Sequence, residues 1–177
     1  MKKLVWFFIY ITFFILSLIY FTPKENIFYF AQKQLYRQGI AISTEVCNDG
    51  GFNLDIKDAD ILYSSIKFAT IKDLDIFTLL IYNKIDAQNI SLSPSVKNFI
   101  PANIRQLTIT YHIFNPLKIT IEGFGRIGKI DGYYSILQNK VHIFLQPSNF
   151  MKKNYQTSLR RLKKDQQGRL YYEQTLK

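Results

Sequence analysis

The chain is poor in the residues that build reactive centres. It carries one cysteine, Cys47, and two histidines, His112 and His142, among 177 residues. That excludes an intramolecular disulfide and any thiolate-rich metal site. Cys47 fits a small buried side chain, and each histidine falls in an alternating stretch where the polar side of a strand accounts for it. No nucleophile elbow, H-E-x-x-H or paired-carboxylate motif occurs, so no catalytic residue, metal or cofactor is assigned. Asp55, Asp58, Asp60, Asp73 and Asp75 cluster, but the glycine and closing glutamate of a calcium loop are missing. A solvated strand face explains them. Acidic residues also run out toward the C-terminus: Lys24–Phe150 holds 13 basic and 11 acidic residues, Met151–Lys177 holds 8 and 2. The net charge of +10 is therefore concentrated in the last segment.

What is abundant comes first in the chain. After "MKK", the nineteen residues Leu4–Thr22 contain no charge, and at about 1.5 Å per helical residue they span roughly the ~30 Å hydrocarbon layer. A signal peptide has an apolar region of only about 7–15 residues and a small-residue cleavage site. This segment is longer and ends in "YFTPKENIFYFAQ", so an uncleaved anchor is expected. Lys2 and Lys3 vote for a cytoplasmic N-terminus and Lys24, Lys33 and Arg37 vote against it. The short leading tail favours residues 24–177 in the periplasm, anchored in a bacterial inner membrane.

The remainder is long enough for one domain. "KENIFYFAQKQLYRQG" sets Ile27, Phe28, Ala31 and Leu35 at helical spacing before Gly39, predicting a short juxtamembrane helix over 24–39. From Ile40 the period becomes two: Phe52, Leu54 and Ile56 alternate with Asn53, Asp55 and Lys57. Ile61 with Tyr63, Ile66 with Phe68, and Leu74 with Ile76 continue it, with parity slips at Asp58–Asp60 and at Ser64–Ser65 that imply bulges or turns. "FTLLIYNK" is apolar enough for a helical turn or a buried run, and Pro94 and Pro101 bracket a loop. "QLTITYHIF" aligns Leu107, Ile109, Tyr111 and Ile113, and "LKITIEGFG" aligns Leu117, Ile119 and Ile121. "IDGYYSIL" and "VHIFLQP" complete a meander whose short connections require antiparallel neighbours. Last, Met151, Tyr155, Leu159 and Leu162 form an apolar stripe opposite Lys152, Lys153, Arg160, Arg161, Lys163 and Lys164, predicting a basic amphipathic helix before an edge strand in "GRLYYE". The division is a tail over 1–3, an anchor over 4–22, the helix over 24–39, a β domain over 40–147, and the basic helix with its strand over 148–177.

"GFGRIG" at Gly123–Gly128 matches the glycine pattern of nucleotide-binding folds. The residues after it alternate instead of forming a helix, no acid occurs between Asp131 and Asp165, and too little chain remains for a kinase. Gly123, Gly125, Gly128 and Gly132 are therefore expected where a sheet bends or two backbones approach closely. The basic C-terminal residues suit anionic headgroups or an acidic partner, or simply a solvated cap on the sheet. Nucleic acid is not an expected partner outside the membrane.

Behind such an anchor, "VCNDGGFNLDIKDADILYSSIKFATIKDLDIFTLLIYNKIDAQNISLSP" resembles the start of AsmA-like envelope proteins. "GRIGKIDGYYSILQNKVHIFLQPSNFMKKNYQTSLRRLKKDQQGRLYYE" is similar in layout to type II secretion system protein N. The resemblance covers most of residues 41–173. It implies a mainly β (α+β) fold, a trough-like antiparallel sheet in the periplasm whose apolar face shelters lipid chains. A chain this short cannot bridge two membranes alone, which favours an accessory role beside other secretion or envelope proteins. Phe52, Leu54, Ile56, Leu107, Ile109, Tyr111, Ile113, Ile119 and Ile121 are the candidates for the apolar, lipid-binding face. The pattern allows the apolar faces of the two strand sets either to close on each other or to form an open groove.

Overall fold

The computed structural model describes residues 2–43, 46–94, 100–101 and 103–176. The uncharged segment forms helix α1 (Lys2–Phe21), long and apolar enough to cross a membrane, with no buried residue. Pro23 then starts α2 (Lys24–Tyr36), capped at Arg37, and the turn after it closes at Gly39, a left-handed position at φ 81°. Period-two runs follow as β1 (Ile40–Ser43), β2 (Val46–Asp49), β3 (Asn53–Tyr63), β4 (Ile66–Thr78), β5 (Tyr82–Leu92), β6 (Asn103–His112), β7 (Lys118–Gly125), β8 (Gly128–Ser135) and β9 (Lys140–Pro147). The chain closes with α3 (Asn149–Asn154), α4 (Gln156–Arg160), β10 (Lys163–Lys164) and β11 (Leu170–Thr175).

The fold is mainly β. All the strands join one open antiparallel sheet in the order β1-β3-β4-β5-β6-β7-β8-β9-β11-β10, with β2 beside β1 on the outer edge of β3. The two strand sets expected from sequence are thus one sheet, and their apolar sides form a single shared face rather than two facing layers. Residues 95–99, between Pro94 and Pro101, and residue 102 lie outside the described residues.

Register shows how the apolar face is kept continuous. Directly opposed residues share a face, and one row reads Leu54, Ile76, Ile85, Ile109, Ile121, Gly132, Ile143, Tyr172 across eight strands. The next row reads Ile56, Leu74, Ala87, Leu107, Gly123, Ile130, Leu145, Leu170. Beyond it the parity flips on several neighbouring strands together, since the core continues with Ala59, Ile71, Ile90 and Ile104 in place of the residues two further along. Asp58 and Asn89 sit at this line with φ 52° and 53°, and β6 and β7 shift register there. The slip seen near Asp58 is one end of a crease running across the sheet. The slip at Ser64–Ser65 is a two-residue hairpin turn with both residues left-handed, φ 48° and 67°, a geometry that suits the twist of the flanking strands.

Three readings are corrected. Ile66 and Phe68 are exposed, because a register shift after Ile61 turns Ala69 and Ile71 inward in their place. "FTLLIYNK" contains neither a helical turn nor a buried run; it is the end of β4, an exposed tip at Leu80 and Ile81, and the start of β5. The single basic C-terminal helix is two short ones, broken at Tyr155, whose φ −129° and ψ 38° are not helical. The apolar stripe survives the break: Met151, Tyr155, Leu159 and Leu162 pack with Ile127 and Leu145. Lys163 and Lys164 leave the helix and form β10.

Candidate apolar site

Two clusters occupy the apolar face. At the β3–β5 side, Phe28 of α2 packs with Leu54, Ile56, Ala59, Ile71, Leu74 and Ile90. At the β8–β11 side, α3 and α4 lie over Ile127, Ile130, Leu145 and Leu170. Ser148 caps α3 by accepting the Met151 N–H, and its own hydroxyl and N–H donate to the carbonyls of Arg126 and Ile127 in the β7–β8 turn. Between α3, α4 and the sheet lies a cleft of about 420 Å³, lined by Ile100, Ile127, Ile130, Ile143, Leu145, Met151, Leu162 and Tyr172, with Ser158 and Arg161 its polar members.

Of the expected face residues, Leu54 and Ile56 are fully buried near α2, and Leu107 packs against the same core. Ile109 with Ile121 and Tyr111 with Ile119 stand opposite each other, half-buried, on the same face. Phe52 precedes β3 and packs edge-on against Tyr20 of α1, ring centres 5.4 Å apart. Ile113 is an exposed turn residue. The cleft itself escaped sequence reasoning, although the alternation of Val141, Ile143 and Leu145 with His142 and Phe144 carried its signal.

The basic residues are not beside the anchor. Tyr20 reaches Phe52 at the start of β3, and antiparallel pairing puts that end of the sheet at the β4–β5, β6–β7 and β8–β9 turns. Lys152 and Lys153 on α3 follow the other end of β9, Arg160 and Arg161 close α4 over the sheet, with Arg161 lining the cleft, and Lys163 and Lys164 on β10 are in register, through β11, with Phe144 and Leu145 of β9. Eight residues of β9 separate the ends, about 26 Å at ~3.3 Å per residue.

The glycines of "GFGRIG" lie on a hairpin, with Gly125 paired to Gly128, so no helix start faces a phosphate. A side chain at Gly125 would place its Cβ 2.8 Å from Ile104 Cα and Arg105 N; at Gly128, with φ 118°, it would lie 2.0 Å from the Gln146 carbonyl. Close backbone approach is the reason for both. Gly123 and Gly132 sit in the two apolar rows; a Cβ at Gly132 would collide with the His142 carbonyl, and one at Gly123 would lie 3.1 Å from the Gln106 carbonyl oxygen and the Leu107 side chain.

The opposite face is polar. Asp55, Asp75 and Asp86 stand side by side on β3, β4 and β5. Burial, and then the hydrogen bond and charge of Asp55, push the Asp75 carboxyl above its ordinary range. Burial also pushes on Asp86, but hydrogen bonds from Lys84 and Gln106 outweigh it and hold that carboxyl low. Among the described residues, no group of three His, Cys, Asp or Glu side chains is arranged to hold a metal. His112 lies against the Tyr82 ring, and His142 stacks on Tyr133 with Nδ1 3.5 Å from Glu173. Cys47 is half-buried against the core, and burial raises its thiol.

No protein family, curated protein or solved structure matches the chain.

Proposed function

We propose that this chain is a membrane-anchored, non-enzymatic component of a bacterial envelope, and that its sheet serves as a trough for the apolar chain of a lipid. The carrying observation is the cleft under α3 and α4: apolar side chains line it almost throughout, and the two rows of the apolar face lead into it. An apolar cavity with few polar groups suits a hydrocarbon chain, whereas the recess on the polar face is lined by Asp55, Asp73, Asp75 and Asp86. The reading accords with an AsmA-like or type II secretion protein N-like role in lipid handling, secretion or envelope assembly, with the domain in the periplasm.

The test is photo-crosslinking from the cleft. With a benzophenone amino acid in place of Ile143 or Tyr172 in the membrane-embedded full chain, irradiation is expected to yield lipid adducts, and Ile109→Asp to reduce them. Adducts to protein alone, or none, would refute the trough.

The basic far end supports a second role. Lys152, Lys153 and Arg160 are exposed on α3 and α4, which follow the end of β9 away from the anchor, so they suit an acidic protein or an opposing anionic surface better than the anchor's own membrane. Reversing Lys152 and Arg160 to Glu is expected to break a co-purifying complex and leave the lipid adducts intact.

A further inference from the structure

The end of the sheet that meets α1 carries a row of exposed apolar tips. Leu80 and Ile81 lie between β4 and β5, Phe114 and Leu117 between β6 and β7, and Ile136 and Leu137 between β8 and β9. Phe114 is 89% exposed, Leu137 75% and Leu80 62%. Antiparallel pairing puts all three turns at the same end, and backbone bonds join them: Ile113 N–H donates to Ile81 at 3.0 Å, and Ile136 N–H to Leu117 at 3.0 Å. These tips are therefore one connected rim. At the other end the β3–β4 turn is Ser64–Ser65, between exposed Tyr63 and Ile66, and the apolar residue of the β7–β8 turn, Ile127, is buried against Met151 and Leu145.

Only the last turn of α1 meets this rim. Every side chain from Leu4 to Leu16 is exposed, while Tyr20 packs on Phe52 and occupies the space a Cβ at Gly51 would need. Ile19 and Thr22 share a recess with Leu79 and Leu80 of the first tip. Lys24, 4% exposed, donates its ammonium to the carbonyls of Ile19, Tyr20 and Thr22 at 2.5, 3.2 and 2.8 Å. Its backbone N–H donates to Asp49 on β2 at 2.7 Å. The exit of the apolar helix is thereby fastened to the sheet on two sides, so the rim stays where α1 leaves the membrane. Just inside the tips stand Tyr20 and Tyr82, packed on Phe52 and His112; tyrosine is enriched at the boundary between headgroups and hydrocarbon.

We propose that this rim is a membrane-contact surface: the tips at Leu80, Phe114 and Leu137 enter the headgroup and upper acyl region of the bilayer that α1 crosses. The lipid surface is the occupant because the rim is continuous with the membrane-spanning helix and because apolar tips backed by aromatic rings match an interfacial environment. The inference rests on α1 as an anchor and is independent of what the cleft holds.

The test uses the full chain in phosphatidylethanolamine–phosphatidylglycerol vesicles with brominated acyl chains. Trp6 is the single tryptophan and reports the anchor directly. In a Trp6→Phe background, Phe114→Trp and Leu137→Trp are expected to be quenched severalfold more than Tyr63→Trp, an exposed position at the opposite end. Quenching at 114 and 137 no greater than at 63, with Trp6 quenched in the parent, overturns the rim and leaves the anchor standing. A rim that docks a protein gives this result, because the chain alone then leaves its tips in water. An unquenched Trp6 overturns both.

Discussion

Asp75 and Asp86 are directly opposed neighbours on β4 and β5, yet the same substitution is expected to act in opposite directions at the two. Asp75 suffers burial and the proximity of Asp55, so its folded-state carboxyl titrates above its ordinary range. Like charges directly opposite across strands cost up to about 1 kcal/mol. Asp75→Asn removes that cost and keeps an oxygen for the Asn53 amide, which donates to it at 3.3 Å; a gain of about 0.5–1 kcal/mol, or ~1–4 °C in Tm, is expected at neutral pH. Asp86 is 9% exposed and accepts from Lys84 at 2.9 Å and from Gln106 at 2.8 and 2.9 Å. Losing a buried, hydrogen-bonded charge costs about 1–3 kcal/mol. Lys84 remains one-third solvated, which trims this to about 1–2 kcal/mol, or ~2–8 °C. The pH dependence carries opposite signs. Asp75 destabilises when ionised, so the penalty is relieved as pH falls through its raised folded value. Asp86, held low, stabilises when ionised, and that contribution is lost as pH falls through its depressed value. Thermal melts of the full chain in mild detergent, from neutral pH into the acid range, should show both differences from wild type shrinking toward zero. Shifts of equal sign, or shifts independent of pH, would refute the account.

Three further outcomes are expected. Gly125→Val should force β6 and β7 apart, because its Cβ meets backbone at 2.8 Å; a loss of about 1–3 kcal/mol should appear as a lower Tm, with faster amide exchange in both strands. Asp49→Ala removes an acceptor that the N–H groups of Lys24, Glu25 and Gly51 share. It should cost about 1 kcal/mol and speed exchange at the Lys24 and Glu25 amides, leaving the β8–β11 side unchanged. Combined Lys152→Glu and Arg160→Glu should not alter brominated-lipid quenching of Trp at position 114, because those cations lie on α3 and α4, which follow the end of β9 away from the anchor.

How much of this was legible depended on distance along the chain. Alternation within a strand needs only neighbours, so Leu54, Ile56, Ile109, Tyr111, Ile119 and Ile121 were placed on one apolar face from sequence. α2 was visible for the same reason, its Phe28 and Leu35 recurring at helical spacing before Gly39. The crease was only half visible. Its trace at Asp58 looked like a local bulge, because what makes it a line is the pairing of β3, β4, β5 and β6, which no single segment encodes. The C-terminal break at Tyr155 left no clear trace, since the stripe of Met151, Tyr155, Leu159 and Leu162 keeps its spacing through a non-helical residue. The position of the basic residues was the least legible. Their composition suggests anionic headgroups, but which end of the sheet they occupy depends on the number of strands before them.

That count sets the polarity of the molecule. α1 exits beside the start of β3, and each hairpin reverses the path, so the turns alternate between the anchor's end and the far end. The exposed apolar residues at Leu80, Phe114 and Leu137 fall on turns of the first kind, and Ser64, Ser93 and Ser148 on turns of the second. The apolar rows, from Tyr111 and Ile119 through Ile109 and Ile121 to Leu107 and Leu145, join the rim to the cleft without a polar row between them. A lipid chain entering from the anchor's bilayer would meet apolar side chains along this whole path before reaching α3 and α4. On the proposed function, the rim is where such a chain enters and the cleft is where it is held. Cross-linking from Ile143 and Trp quenching at position 114 therefore probe opposite ends of one path. Quenching without cross-linking would mean a domain that rests on the membrane but lifts no lipid from it.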